Sequence, residues 1–306
     1  MSAPGRTVVI VLHYRGVADT LACLASLFQR PDPDTGVLVV DNGSGEPVLD
    51  AAAARFPAAH RLRLAQNFGW AGGNNRAIAW ARARGAEAVC LLNNDTLLPP
   101  GAIAALAEAA RRCGPCLMHP AIDFADPAEG TQLDPTRDPA ARPVPGTEGV
   151  WRLAQPYGAC LLVPMAVFDR IGLFDERFFL QLEETDFGER AGRAGIPALC
   201  LPAVRILHTE SASFGGRATV AKSYYIARNQ MLLAAKRPPR LARFYRAARS
   251  LYWWAAMVVA PGKVGSRLGM ARWLLSRDPH ARAMRRGLGD FLRRRFGPAP
   301  GDLGGG

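Results

Sequence analysis

The sequence predicts an α/β protein, with a mainly parallel sheet covered by helices on both faces. Three observations carry that prediction. From residue 7 to about residue 110, short apolar runs alternate with stretches of helical spacing. The runs are apolar at every position, as strands buried on both faces are. Several then end abruptly in amides and carboxylates, as strands do when their carboxyl ends open into a ligand crevice. With 306 residues, 49% hydrophobic and 21% charged, the chain is globular and long enough for one large domain or two smaller ones.

Taken in order, residues 8–12 form the first buried strand, and residues 20–28 a helix through Leu21, Leu24, Leu27 and Phe28. Residues 37–40 are a second strand, 48–56 a helix, 61–64 a short strand and 74–84 a helix. Residues 89–92 are another strand and 101–112 another helix. Residues 120–150, rich in Pro, Asp, Gly and Thr, read as a long irregular excursion. Order returns with a strand at 157–164, helices at 165–171 and 183–195, and a last strand at 198–207. Beyond Gly216 the pattern is helical, broken at Pro238-Pro239, Pro261-Gly262 and Pro279. The domain division expected is therefore 1–216 and 217–306.

The strand ends hold the candidate chemistry. Asp41 precedes Asn42-Gly43; it suits a tight turn, and equally a carboxylate accepting hydrogen bonds from a base or ribose. The stretch from Asn67 through Gly69 and Gly73 to Asn74 and Asn75 stands before a helix, where free N–H groups favour phosphate. Its pattern is neither the dinucleotide fingerprint nor the lysine-bearing phosphate loop. Asn93-Asn94-Asp95 presents one carboxylate to a hard cation such as Mg²⁺ or Mn²⁺, or simply closes a turn. Glu183, Glu184 and Asp186 open a helix, where acids are favoured by its dipole; one of them is also placed to act as a general base. His208, ending the last strand, is a metal ligand or a satisfied strand-end histidine.

Other features narrow the classes. Cys113-Gly114-Pro115-Cys116 has the spacing of a redox pair but follows a helix instead of opening one, so it reads as a turn with two ordinary thiols. Six cysteines do not suggest a disulfide framework. The opening apolar run is too short for a signal peptide, which predicts a cytosolic address. The net charge of +12 is uneven: from Arg217 to Phe296 there are 19 Lys and Arg against two acids. Within that tail, Leu241, Phe244, Tyr245, Ala248, Leu251, Tyr252 and Val258 share one helical side, with Arg243, Arg246 and Arg249 on the other. Such a helix suits either packing on a domain or attachment to an anionic membrane. No nucleic-acid motif accompanies the basic charge.

In order along the chain, these residues resemble a family 2 glycosyltransferase of the GT-A fold, and within it bacterial rhamnosyltransferase-like members acting on cell-surface polysaccharides. The resemblance runs from Val8 to about Phe214. It rests on the first strand with Tyr14 and Gly16, on 39–44, 67–75 and 92–96, on Gly172-Leu173-Phe174-Asp175-Glu176, on Glu183-Glu184-Thr185-Asp186 and on His208. It implies an inverting transfer of sugar from a nucleoside-diphosphate sugar to a hydroxyl of a glycan or lipid-linked acceptor, at the inner face of the cell membrane. It further implies Glu184 as base with Asp186 as second choice, and Asp95 and His208 as ligands of Mg²⁺ or Mn²⁺. His13, Tyr14, Asp41, Asn67, Gly69, Gly73, Asn74, Asn94 and Asp95 are implied to bind the donor. The sequence departs from the family in three places: Asn93-Asn94-Asp95 stands for Asp-x-Asp, Glu183-Glu184 for Glu-Asp, and His13 and Arg15 for asparagines. A catalytically silent sugar-nucleotide or polysaccharide-binding protein is the alternative.

Overall fold

The computed structural model describes residues 6–30, 32–209, 219–237, 240–260, 264 and 266–303; side chains of 240–243 and 267 are outside it. The chain divides into two compact units, one made of Met1–Phe174 with Phe187–Ser213, the other of Asp175–Asp186 with Phe214–Gly306. The division expected at Gly216 and Arg217, and the proline breaks at 238–239 and 261–262, lie outside the described residues.

The first unit contains, in order, β1 (Thr7–His13), α1 (Val17–Leu27), β2 (Thr35–Asp41), α2 (Val48–Arg55), β3 (His60–Arg63), α3 (Gly69–Arg82) and β4 (Ala88–Asn93). β5 (Thr96–Leu97), α4 (Ala102–Cys113), β6 (Leu117–Phe124), β7 (Thr131–Leu133), β8 (Arg142–Pro143) and β9 (Trp151–Leu153) follow. β10 (Cys160–Pro164), α5 (Met165–Ile171), α6 (Glu183–Arg193) and β11 (Ala198–His208) complete the sheet and its cover, the first turn of α6 falling in the second unit. Among the described residues the strands form one sheet in the order β3-β2-β1-β4-β10-β6-β11-β9-β8. β3, β2, β1 and β4 run parallel, as the continuous apolar runs predict. β10 then enters antiparallel to both β4 and β6, and β6 is parallel to β11.

Both faces of the sheet are buried. Val9, Val11, Val39, Cys90 and Leu92 pack on one face with Leu24 of α1, Ala52 of α2 and Leu106 of α4. Val8, Ile10, Leu38, Val40 and Leu91 pack on the other with Ile78 of α3, Phe168 of α5 and Phe187 of α6. Each such fully buried aliphatic side chain contributes about 1.5–3 kcal/mol. That is why the apolar runs become the rigid centre of the unit.

Three elements differ from the sequence reading. The glycine-rich stretch is not a loop before a helix: α3 begins at Gly69, five residues earlier than the spacing implies. The Asn67 side chain accepts the Gly69 N–H at 2.8 Å, so it starts the helix from outside and draws the glycines into its first turns. Residues 117–124, read as the beginning of an irregular excursion, are the central strand β6. Pro120 disguises it, since proline cannot donate to a ladder. The partner strand accommodates it: Leu201 pairs with Pro120, but Arg205 pairs with Ala121, so residues 202–204 bulge out at the proline. The rest of the excursion contains three further short strands, β7, β8 and β9.

In the second unit, α7 (Val220–Lys236), α8 (Arg240–Trp254), α9 (Arg267–Leu275) and α10 (Pro279–Leu292) carry the basic tail. Leu251 and Ala255 pack with Ile226, Ala227, Trp273 and Met284. The apolar side expected of α8 is therefore divided between buried Leu251 and exposed Phe244 and Tyr245, and Trp253 and Met257 lie outside that side. Leu251 turns inward beside buried Ala247, while Tyr245, Trp253 and Met257 are 62%, 60% and 64% exposed, with Arg246 and Arg249 exposed beside them. Leu241 and Arg243 lie outside the side chains described.

A turn glycine tests the packing at the carboxyl edge. Gly43 has φ +68°, and a Cβ there would stand 2.3 Å from the backbone of Gln66; Gly45 has φ +72° and open space. Gly43→Ala is expected to lose about 1–3 kcal/mol more stability than Gly45→Ala, because both bear the left-handed strain and only one meets a wall. Urea denaturation of the two variants measures the difference.

Candidate active site

Parallel register sets the site out along one edge. His13 pairs with Asp41 across β1 and β2, and Leu12 with Asn93 across β1 and β4, so the polar residues that end three strands come out side by side. The edge is buried and polar at once. Such groups are retained only where hydrogen bonds or partners compensate them.

Asp41 is partly committed to its own turn. Its Oδ1 accepts the Ser44 N–H at 2.9 Å and the Ser44 hydroxyl at 2.7 Å, which is the turn reading of the sequence. Its Oδ2 faces the Arg63 guanidinium at 3.7 Å, so a carboxylate oxygen and a cation stand together where β2 and β3 end. Asn42 is the hub beneath. Its side chain donates to the Asn67 Oδ1 and to the Gly69 carbonyl, both at 3.1 Å, and accepts the Phe68 N–H at 3.1 Å. This fastens the turn after β2 to the start of α3. Gly73 packs where a Cβ would meet Leu12 at 2.8 Å and the Asn42 amide at 3.1 Å, so its lack of a side chain serves helix-to-strand contact. Asn74 donates to the Trp70 carbonyl at 2.9 Å and leaves its Oδ1 buried without a hydrogen-bond partner. Asn75 exchanges hydrogen bonds with the backbone of Phe174.

His13 and Asn94 meet at Thr20. The His13 Nδ1 is 2.8 Å from the Thr20 hydroxyl, and the Asn94 amide donates to the same hydroxyl at 2.9 Å and to the Arg15 carbonyl at 3.0 Å. The His13 Nε2 faces Glu46 at 3.2 Å. Burial lowers the His13 pKa in spite of the Glu46 and Asp41 charges. Tyr14 is half-buried, with the Arg15 guanidinium 5.4 Å from its ring centre.

Asp95 and His208 come together from distant strands. The Asp95 Oδ1 is 3.2 Å from the His208 Nε2, both side chains being almost fully buried. Asn93 stands against the same nitrogen at 3.4 Å and takes the Trp70 indole N–H on its Oδ1 at 3.3 Å. The His208 Nδ1 lies 2.8 Å from the Gln132 amide oxygen, which orients the ring and leaves Nε2 turned to Asp95. One carboxylate and one imidazole suit a divalent cation that keeps waters and substrate phosphates in its shell. Among the described residues no group of three or more His, Cys, Asp or Glu gathers as a cation cage. Gln132, Arg63 and Thr20 were not found in the sequence. Arg63 ends a strand as Asp41 does, and that position was its signal; Gln132 sits in the excursion and had none.

In the second unit, Glu183 and Glu184 open α6, with Glu183 buried and its Oε2 unpartnered. Burial, then the neighbouring Glu184 charge, push Glu183 well above the usual carboxylate range; burial also raises Glu184. Asp186 is held differently: Lys236 reaches its Oδ1 at 2.7 Å and the Asp175 Oδ2 at 2.7 Å. Burial opposes the charge on Asp175, but Arg177 and Lys236 outweigh it and keep the carboxyl well below its ordinary range. Cys113 ends α4 and Cys116 is buried, and burial raises both thiols, Cys116 to about 12.

The mixed, mainly parallel sheet whose carboxyl edge carries Asp41, Arg63, Asp95 and His208 has the GT-A fold. Residues 7–155 match the model of glycosyl transferase family 2. It is 29% identical over 234 residues to an N-acetylglucosaminyl-diphospho-decaprenol L-rhamnosyltransferase of Mycobacterium tuberculosis, covering 63% of this chain and 72% of that one. Its fold is similar to the crystal structure of TarS 1-349 from S. aureus, with TM-score 0.60 and 16% identity over 94% of this chain and 92% of the other. It is also similar to a mannosyltransferase of Pyrobaculum calidifontis in complex with GDP-Man and Mn²⁺, with TM-score 0.54 and 17% identity over 95% and 86% of the two chains.

The Glu183 environment gives a stability test. A carboxyl whose pKa is raised by folding binds its proton more tightly in the native state, so its contribution is fully present below the unfolded pKa and lost as pH rises through the folded one. Glu183→Gln is therefore expected to equal the parent in stability at pH 4 and to exceed it at pH 8. Thermal melts across that range measure the gap, and a gap that opens toward acid pH instead would contradict the assignment.

Proposed function

We propose that this glycosyltransferase takes its sugar from a nucleoside-diphosphate donor and passes it, with inversion, to a hydroxyl of a lipid-linked or polysaccharide acceptor. The observation that carries the reading is the convergence at one sheet edge of Asp41 with Arg63 and of Asp95 with His208. The Asp41 Oδ2, which takes no hydrogen from its own turn, suits a ribose hydroxyl or a base N–H, and Arg63 adds positive charge beside it. Tyr14 offers a flat ring beside the same strand end. Asn67, Gly69, Gly73 and Asn74 act chiefly by holding the edge in shape, with the Asn74 oxygen left to accept from the donor. Asn94 fixes the turn that presents Asp95.

Asp95 and His208 would hold the divalent cation, Mg²⁺ or Mn²⁺. When bound, such an ion neutralises charge on the leaving diphosphate. The protein's own part is to position the acceptor and remove its proton. As the acceptor oxygen bonds to the anomeric carbon, the bond to the diphosphate oxygen breaks and the hydroxyl proton passes to Glu184. Burial supports that role, because a raised carboxylate pKa accepts a proton more readily. Asp186 is less suited, being bound to the Lys236 ammonium. Likeness to the mycobacterial rhamnosyltransferase supports a deoxyhexose donor and a polyprenyl-diphosphate acceptor. Such an acceptor lies in a membrane, and the exposed Tyr245, Trp253 and Met257 beside Arg246 and Arg249 support attachment to an anionic inner leaflet. Among the described residues no helix is long and apolar enough to cross a membrane.

Glu184→Gln is expected to lower kcat by about 10²- to 10⁴-fold while a nucleoside diphosphate with Mn²⁺ still raises the melting temperature. Asp95→Asn is expected to abolish the dependence of that shift on Mn²⁺. Turnover close to the parent in Glu184→Gln would remove it as the base. Flotation with phosphatidylglycerol vesicles is expected to carry the protein up, and Arg246→Glu with Arg249→Glu to weaken binding by at least about 5-fold per site at low salt. Equal binding to phosphatidylcholine vesicles would contradict the electrostatic part.

A further inference from the structure

The segment leading into Glu183 and Glu184 is strained. Phe179, Gln181 and Leu182 have φ of 62°, 73° and 72°, three non-glycine residues in the left-handed region within four positions. L side chains rarely adopt it, and surroundings must hold them there. What holds them is a pair of adjacent residues in α7. The Asn229 amide donates to the carbonyls of Phe178, Leu180 and Gln181 at 2.9, 2.7 and 2.8 Å. Arg228, fully buried, donates through Nη2 to the Phe178 and Arg177 carbonyls at 2.8 and 3.2 Å and through Nη1 to the Gly297 carbonyl at 2.7 Å. Its Nε bonds the Asn229 Oδ1 at 3.0 Å, so the two side chains form one rigid donor array.

The array is expensive to build. Burial lowers the Arg228 pKa, and among the described residues no carboxylate forms an ion pair with its guanidinium. Carbonyls and the rings of Tyr224, Tyr225 and Phe296 surround it instead. A core needing only stability gains little from such a charge. Apart from the Nε bond to Asn229, its donors point at the backbone of the segment that ends at the carboxylate pair or at the chain beyond α10. Lys236, two turns further along α7, bonds Asp175 before the segment and Asp186 after it. One helix therefore grips the segment at its start, middle and end.

We propose that Asn229, with Arg228, is a positioning residue for the catalytic base: it locks the left-handed backbone at 179–182 and so fixes where the first turn of α6 presents Glu184. The proposal rests on the reading of Glu184 as base. A base held within hydrogen-bond reach loses rate steeply when it is misplaced, by about 10²-fold for an ångström. Binding of the donor is left nearly intact, because Asp41 and Asp95 belong to the other unit.

Steady-state kinetics of the full chain test it. Asn229→Ala is expected to lower kcat by about 10- to 100-fold with the donor KM changed less than about 3-fold. Gln181→Gly relieves a left-handed residue, so it is expected to leave the melting temperature unchanged or higher while kcat falls; this variant carries the test if Asn229→Ala does not fold. In a Glu184→Gln background the loss from either substitution is expected to vanish, since both act through that carboxylate. An undiminished loss in that background overturns the positioning role while leaving Glu184 as base. A Gln181→Gly enzyme with parental kcat also overturns it. A Glu184→Gln enzyme that turns over normally overturns the base assignment itself, an outcome read before either loop variant is made.

Discussion

The register of β1 between β2 and β4 is the constraint on which the rest of the first unit depends. Parallel strands bring equivalent ends to one edge, and here the pairing of His13 with Asp41 and of Leu12 with Asn93 places the polar strand ends in one row. A slip of one residue inward would bury Asp41 at the place of Val40, and a slip outward would carry Val40 to the polar edge, so burial on both faces enforces the chemistry of the edge. Asn42 extends the same constraint beyond the strands, since its three hydrogen bonds make the start of α3 a continuation of the turn after β2.

The two carboxylate groups of the chain are supported by opposite means. Asp95 is held by an imidazole whose other nitrogen is oriented by Gln132. Glu183 and Glu184 are held by burial and by one another, which favours the protonated form. The departure from Asp-x-Asp at Asn93 fits this division: its amide engages Trp70 and faces His208, so a second carboxylate's place is given to a neutral strut.

Much of this was legible in the residues because buried parallel strands have no alternation to hide. Residues 8–12, 37–40 and 89–92 became β1, β2 and β4 with ends shifted by one or two residues, and α5 occupies the residues its pattern gave. What escaped notice did so for definable reasons. Pro120 concealed β6 because the compensating bulge lies some eighty residues away in β11. The start of α3 depends on the Asn67 side chain and not on periodicity. The sequence places residues 175–186 with the sheet, whereas the structure groups them with the C-terminal helices. Nothing local announces it, because the tie consists of side-chain donors from α7 to backbone carbonyls, and a carbonyl leaves no trace in composition. The tail's basic charge points to its surface, while Arg228, which grips the backbone at 177–178, is the most buried of its arginines among the described residues.

The order of the strands also shapes how the chain comes off the ribosome. β6 lies between β10 and β11, yet both are made after it, and β11 only about eighty residues later. Until then the edge of β6 that takes β11, along Leu117, Met118, Ala121 and Ile122, lacks its long partner, and an open strand edge of that kind can recruit a neighbouring nascent chain. Pro120 sits in the middle of that ribbon and removes one donor from its edge. The residue that obscures the strand from a reader of the sequence is thus suited to obscure it from other polypeptides, and the β11 bulge is where the mature sheet accommodates that protection.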